Sequence, residues 1–287
     1  MKSFSEIAEG YIQAGFYNEA IKFSNKEIES NPLSPIAFEY RGIANYMLFR
    51  IEEAINDLTT AISLDNNNHK ALSNRANIYR DRQEYEKALT DYEKALTIAP
   101  VNLYYQANMA HLFLLLKNYE KCFYYANSVL NYDVKNYDAL FYKACAYSDL
   151  KMYTDSIKNF RLILSSHDGN GLIYNGLAFA QTHTGELEDA ITNFHKAIEI
   201  DPEFAYPWDN LGYVYYLKKQ YEKALKLINR SIELDPSNSW AYKNRAIVNL
   251  ALNKKELAHT DLIYALELGY ADIYDDEVNV ILSKEFI

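Results

Sequence analysis

The sequence predicts an all-α fold, a stack of helical hairpins, and three observations carry that prediction. The five residues Tyr-Glu-Lys-Ala-Leu that begin at Tyr85 return from Tyr92 and again from Tyr221, which lies 136 residues after Tyr85, or four intervals of 34. A 34-residue frame begun at residue 1 runs along the chain without an insertion, and its slot 8 holds only alanine or glycine, from Ala8 through Gly42 and Gly212 to Ala246. Within each interval the apolar and small residues recur three and four apart, the spacing of one helix face and not the alternation of a half-buried strand. Self-similarity at such a period marks a repeat array.

Each element of a unit follows in order. In the third unit, Leu72, Arg75, Ala76, Tyr79 and Arg82 trace the first helix, and Ala88, Tyr92, Ala95 and Leu96 the second. A short break separates them, seen most clearly at Gly15 and Gly185 in other units. Slot 20 is small throughout, including Cys122 and Ser156, and slot 28 is always isoleucine or leucine, from Ile28 to Leu266. Small slots 8, 20 and 27 let helix axes approach, and bulky slots 11, 17, 24 and 28 fill the remaining space. Slot 32 is proline at Pro32, Pro100, Pro202 and Pro236, which ends the second helix because the residue before proline is pushed out of the α region. Asn66 and Asp168, which replace it elsewhere, are also turn formers. One hairpin cannot bury its own apolar face, so its neighbours must bury it. Eight such units fill residues 1–272. The remaining stretch, 273–287, reads as an amphipathic capping helix, with Asp275, Asp276 and Glu277 at its start and Val278, Ile281 and Leu282 on one face. It could instead serve as a docking helix.

This pattern resembles the tetratricopeptide repeat (TPR) family over almost the whole chain. The family's small-small-small-proline skeleton stands complete at Ala76, Ala88, Ala95 and Pro100, and again at Ala178, Ala190, Ala197 and Pro202. Glu27, Val129 and Ile163 depart from it, and the fourth and fifth units also lack the proline, so residues 103–170 are expected to be locally reshaped. The resemblance implies a right-handed superhelical solenoid of antiparallel helix pairs. It also implies that slots 2, 5, 6, 9, 12 and 13 of the first helices line a concave groove where partners bind.

Composition narrows the function classes. The 287 residues are 49% hydrophobic and 24% charged, with only nine glycines and six prolines, which suits a packed helical protein and disfavours disorder. A net charge of −10 opposes phosphate backbones and anionic lipid surfaces, so neither nucleic acid nor membrane is expected as a partner. Two cysteines, Cys122 and Cys145, form no CxxC and are read as buried thiols of a reducing compartment. No signal-peptide pattern and no uninterrupted apolar run of membrane-spanning length occurs, so the expected location is the cytoplasm.

Catalytic and metal-binding patterns are lacking. The six histidines show no ligand spacing such as HExxH. The His167–Gly171 stretch, His-Asp-Gly-Asn-Gly, invites a catalytic or phosphate-loop reading, but it follows a helix and matches neither GxGxxG nor a P-loop, so it is read as a junction loop. Asp65-Asn66-Asn67-Asn68 lacks the oxygen spacing and final glutamate of a calcium loop. The Tyr-Glu-Lys-Ala-Leu segments present glutamate–lysine pairs on a solvated face. No enzyme activity, cofactor or metal is expected.

The information therefore lies in the groove slots. Asparagine occupies slot 6 at Asn74, Asn108, Asn210 and Asn244, with Asn77 and Asn175 beside the row. An amide offers donor and acceptor together, so such a row suits the main chain of an extended peptide, although it also suits plain helix-surface residues. Aromatic side chains Tyr40, Tyr46, Phe141, Tyr142, Phe179, Tyr213 and Tyr216 share this face, as do His111, Leu114 and Leu115. Aromatics make rigid anchors and recur at interface hot spots. Phe141, Tyr142, Phe179 and Tyr213 are the expected anchors. Groove acids Glu6, Glu9, Glu39, Asp81, Asp138, Asp149 and Asp209 outnumber the bases Lys2, Lys70, Arg80 and Lys243. Some TPR co-chaperones hold acidic chaperone tails with Lys and Asn four apart in one unit, Asn in the next, and Lys and Arg four apart in the third. Lys70 and Asn74 begin such a set but no three consecutive units complete it. The expected function is a non-enzymatic protein-interaction module that holds a neutral or basic protein partner, and not the acidic tails of the major heat-shock chaperones. Two alternatives are a stoichiometric inhibitor of a folded basic effector and an enzyme using the His167–Gly171 loop.

Overall fold

Helix starts in this chain share one device. Slot 34, the residue before each first helix, is Ser34, Asn68, Asn102, Asn136, Asn170 or Asn238, and in each case its side-chain oxygen accepts the backbone N–H three residues on. These N-caps satisfy one of the orphan donors of the first turn. Phe204 is the exception and caps nothing with its side chain.

The computed structural model describes residues 3–273 and 276–286, with the side chains of all but residues 272 and 273. Lys2 and Asp275, singled out above, lie outside the described residues. The described residues form helices without strands, and their contacts divide into two units, Met1–Tyr142 and Lys143–Ile287.

The first unit contains the hairpins α1 (Phe4–Gln13) with α2 (Tyr17–Ser30), α3 (Pro35–Met47) with α4 (Ile51–Leu64), α5 (His69–Asp81) with α6 (Tyr85–Ile98), and α7 (Leu103–Leu115) with α8 (Tyr119–Leu130), followed by the start of α9 (Tyr137–Asp149). Its core is built from the expected small and bulky slots, including Ala54, Leu58 and Ala61 packed against Ala71 and Ile78 of the next hairpin. At slot 8, Gly42 admits slot 24 of its own hairpin so closely that a Cβ there would lie 2.8 Å from Leu58 Cγ.

The second unit holds the rest of α9, then α10 (Tyr153–Leu164), the hairpins α11 (Gly171–Thr184) with α12 (Leu187–Ile200), α13 (Ala205–Leu217) with α14 (Tyr221–Leu234), α15 (Ser239–Ala251) with α16 (Lys255–Glu267), and the short α17 (Tyr270–Ile273) and α18 (Glu277–Glu285). Ala178, Phe194, Leu211, Val214, Ile228 and Val248 belong to one continuous cluster that crosses three hairpins. Val278 of α18 is fully buried against Tyr242, Ala246 and Leu262, with Ile281 and Leu282 beside it.

Three local features refine the expected hairpin. The turn residue at slot 15 is left-handed in every unit: Gly15 and Gly185 have φ of 77° and 83°, while Phe49, Gln83, Lys117, Lys151, Lys219 and Asn253 lie between 54° and 60°. The glycines therefore mark a conformation that six other residues also adopt, at a steric cost that the flanking helices impose. The second helices α8 and α10, of the two units without the proline, are 12 residues long against 14 for α2, α4, α6, α12 and α14.

The third feature is a buried polar clamp. Arg41, Arg75 and Arg245, all at slot 7, each grip the aspartate 16 residues on, Asp57, Asp91 or Asp261, through two hydrogen bonds of 2.6–3.0 Å. The remaining guanidinium nitrogen reaches back to the preceding hairpin, to Asn25, Thr59 or Asn229. Bidentate geometry of this kind fixes orientation as well as distance.

Candidate functional site

The first helices of each unit present slots 2, 5, 6, 9, 12 and 13 on the face away from the second helices. In the first unit this face bears an open cleft of about 340 Å³ lined by α1, α3, α5 and α7, with Glu9, Glu39, Tyr40, Ile43, Lys70, Ser73, Asn74, Tyr104 and Tyr105 on its walls. Asn74, expected in the groove, is half-buried here. Glu39 is 3% exposed, and burial raises its pKa against the lowering effects of an Asn68 hydrogen bond and of Lys70. The Tyr40 hydroxyl, bonded to Glu9, is pushed up to about 12, chiefly by burial and then by the Glu9 charge. Tyr105 meets His69 Nδ1 at 2.7 Å.

Beyond the cleft lies a second cluster. Asn77 is buried, and its Oδ1 accepts from the Tyr92 hydroxyl at 2.5 Å while its Nδ2 donates to the Tyr104 hydroxyl at 3.1 Å. Arg80 donates to Asp81 at 2.9 and 3.0 Å, and the Tyr46 hydroxyl donates to the same carboxylate. The His111 ring stacks on Tyr142 with centroids 4.7 Å apart, and Phe141 meets Tyr142 edge-on at 6.0 Å. Burial, aided by the Arg80 charge, lowers the His111 pKa to about 4, so the ring is neutral at pH 7 and offers a flat apolar surface. Asn108 is buried with its Nδ2 lacking a hydrogen-bond partner.

The second unit uses the same slots differently. Asn210 at slot 6 donates to Asn175 at slot 5 of the preceding hairpin, 3.1 Å away, and Asn244 donates to Asp209 across the equivalent slots at 3.0 Å. Asp209 is fully buried and also accepts from Asn238 and Ser231; burial lifts its pKa to about 7 against the pull of those bonds and of Lys243. Phe179 sits between His183, 4.5 Å away, and Trp240, 6.3 Å away, while Tyr213 stacks on Tyr216 at 5.8 Å. Lys243 is 3% exposed, lies 4.2 Å from the Trp240 ring centroid and pairs with Glu277 at 3.1 Å.

The asparagine row is thus more deeply set than its spacing suggests. Asn77, Asn108 and Asn244 are buried. Asn210 and Asn244 are engaged by the preceding hairpin, because a slot-6 amide lies within reach of slot 5 one repeat earlier, and Asn77, at slot 9, is engaged by Tyr104 of the following hairpin. Asp209 likewise adds nothing to the surface charge. Ser73, Tyr104, Trp240 and His183 stand at the predicted groove slots 5, 2, 2 and 13 without being among the residues named for the groove above, and Tyr105, at slot 3, lies off those slots.

Comparison with known proteins accords with this architecture. Models of the tetratricopeptide repeat match residues 69–102 and 205–238, and a TPR repeat model matches 180–219. A tetratricopeptide repeat protein from Parabacteroides merdae superposes with a TM-score of 0.66, covering 85% of this chain and 97% of that one at 20% identity. The chain belongs to the tetratricopeptide repeat family. A second TPR-like fold match is the Cut9-Hcn1 structure, with a TM-score of 0.54, 16% identity, and coverage of 99% of this chain and 49% of that one. Among curated proteins, this TPR chain is 33% identical over 125 residues to the DnaJ homolog subfamily C member 7 homolog of Dictyostelium discoideum, covering 42% of this chain and 22% of that one. It is 28% identical over 152 residues to the Hsp70-Hsp90 organising protein of Plasmodium falciparum, covering 50% and 25% respectively. The chain therefore spans about a quarter or less of the length of these relatives. Among the described residues no helix is long and apolar enough to cross a membrane.

Proposed function

We propose that this TPR protein is a non-enzymatic interaction module whose first-helix faces hold an extended peptide or protruding element of a protein partner. The observation that carries the reading is a set of buried polar atoms on slots 5 and 6 without hydrogen-bond partners: Ser5 Oγ, Ser73 Oγ and Asn108 Nδ2 in the first unit, and Asn244 Oδ1 in the second. Native proteins leave few buried polar atoms unpaired, and an incoming main chain offers both a donor and an acceptor. The flat His111–Tyr142 stack and the Phe179–His183 pair supply aromatic anchors on the same faces. Two cysteines, Cys122 and Cys145, are too few for a disulfide framework and favour a reducing, cytoplasmic setting.

A second reading comes from the names of the relatives, one of which is an organiser of Hsp70 and Hsp90. Association with a chaperone fits that kinship. Capture of its acidic tail fits less well, because Lys70 and Asn74 share their cleft with Glu9 and Glu39. Where the third unit of a carboxylate-gripping set would bring two cations four apart, this chain has Asp138 and Tyr142. We therefore favour a neutral or basic docked segment.

Affinity capture from the source lysate tests the reading, comparing wild type with Phe141→Ala/Tyr142→Ala and with Phe179→Ala at matched helicity. A single abundant partner lost from either variant supports docking on the inner faces. A partner retained by both moves the site to another surface, and no partner at all overturns the interaction reading.

A further inference from the structure

The buried carboxylates of this chain are unequal. Asp57, Asp91 and Asp261 are each held bidentately by an arginine, and Asp209 accepts hydrogen bonds from three side chains. Glu39, only 3% exposed, has the Asn68 side chain as its hydrogen-bond donor and no ion pair among the described residues. Lys70 acts on it through space and is itself exposed. A carboxylate taken out of water without a paired cation is costly, and that cost falls when a cation arrives.

A second, independent feature points the same way. Ser73 lines the same cleft, is 2% exposed, and its Oγ has no hydrogen-bond partner. Glu9 and the Tyr40 hydroxyl add acceptors, and Tyr104 and Tyr105 give the aromatic faces that suit an alkyl stem and a cationic head. We propose that this cleft, between α1, α3, α5 and α7, receives a lysine or arginine side chain of the docked segment, with the Glu39 carboxylate as its counter-charge. The proposal rests on the reading of the inner faces as a docking surface and names the chemistry of one anchor on it. An anionic side chain would face Glu39 and Glu9 at close quarters and is disfavoured.

The test uses the full chain and three capped amino acids: the N-acetyl methylamides of lysine, norleucine and glutamate. Titrations are followed by amide chemical shifts. The lysine probe should give saturable shifts at Tyr40, Ser73 and Tyr105, which the norleucine and glutamate probes do not. Glu39→Gln, which keeps the side-chain shape, should weaken the lysine probe about tenfold or more. Glu9→Gln, a change at a half-buried site, should weaken it less and guards against a Glu39 variant that fails to fold. Equal binding of lysine and norleucine, or an unchanged affinity in a folded Glu39→Gln, overturns the proposal. Partner capture separates the two layers: a partner retained by Glu39→Gln but lost from Phe141→Ala/Tyr142→Ala overturns the cationic anchor and leaves the docking function standing.

Discussion

Replacing Arg75 with leucine removes the cation from a carboxylate that is 4% exposed and was held at 2.7 and 2.9 Å. The structure sets the size of the effect. Asp91 is buried and pairs with Arg75, so without the guanidinium it would be left buried and unpaired, at a cost of about 3–5 kcal/mol. The bond from Arg75 to Thr59 of the preceding hairpin is lost as well. Asp91→Leu should cost somewhat less, about 2–3 kcal/mol, because Arg75 is 15% exposed and keeps Thr59. The double replacement Arg75→Leu/Asp91→Leu has a natural counterpart in the seventh hairpin, where the same slots hold Leu211 and Leu227, both within the hydrophobic cluster of the second unit. It should therefore cost no more than about 1–2 kcal/mol, giving a coupling energy of roughly 3 kcal/mol or more across the cycle. Urea denaturation followed by circular dichroism measures each variant. Hydrogen exchange of α5 and α6 supplies a local readout, since repeat arrays can unfold in steps. Arg75→Leu costing under about 1 kcal/mol, or a double variant as unstable as the sum of its singles, would refute the argument from desolvation.

Two further outcomes are expected. Asp209 keeps its proton in the folded state up to about pH 7, against an ordinary value of 3.8, so the native state binds more protons than the unfolded one between those limits. Its contribution to stability is therefore greatest in acid and declines as pH rises toward 7, by up to roughly 4 kcal/mol in total; urea midpoints from pH 5 to 8 should fall in wild type relative to Asp209→Asn, and parallel profiles would contradict this. Phe49 is 89% exposed at a φ of 59°, so Phe49→Gly relieves the left-handed strain without losing packing. It should raise stability by roughly 0.5–1 kcal/mol; a lowered thermal midpoint would show that the turn costs nothing.

How legible this architecture was depended on whether a slot's role is local or shared between repeats. Ala8, Ala20 and their equivalents declared the close approach of helices because only small side chains permit it. The caps Ser34, Asn68, Asn102, Asn136, Asn170 and Asn238 are equally readable as a row at slot 34, since an N-cap is a one-turn event. The clamps could have been found as arginine and aspartate 16 apart at Arg41, Arg75 and Arg245. The asparagines show the opposite case. Periodicity assigns Asn210 and Asn244 to the right helix face, but depth depends on what the adjoining repeat lays over them, and Asn175 and Asp209 are 35 residues away in sequence. Glu39 stands among the predicted groove acids, but its lack of a paired arginine becomes visible only beside the three aspartates that have one.

The pairing of Lys243 with Glu277 makes the terminal helix more than a lid. The ammonium group sits in the inner row, nearly sealed from water among Trp240, Tyr213 and Tyr270, and an acid that neutralises it is supplied by α18, from outside the repeats. Electroneutrality of that face is thus shared with a segment that proteolysis or alternative processing could remove. A chain cut before Glu277 would lose the acid paired with Lys243 together with the packing of Val278 on the last hairpin. Loss of α18 would in that way change the charge of one face of the second unit with no substitution in any repeat.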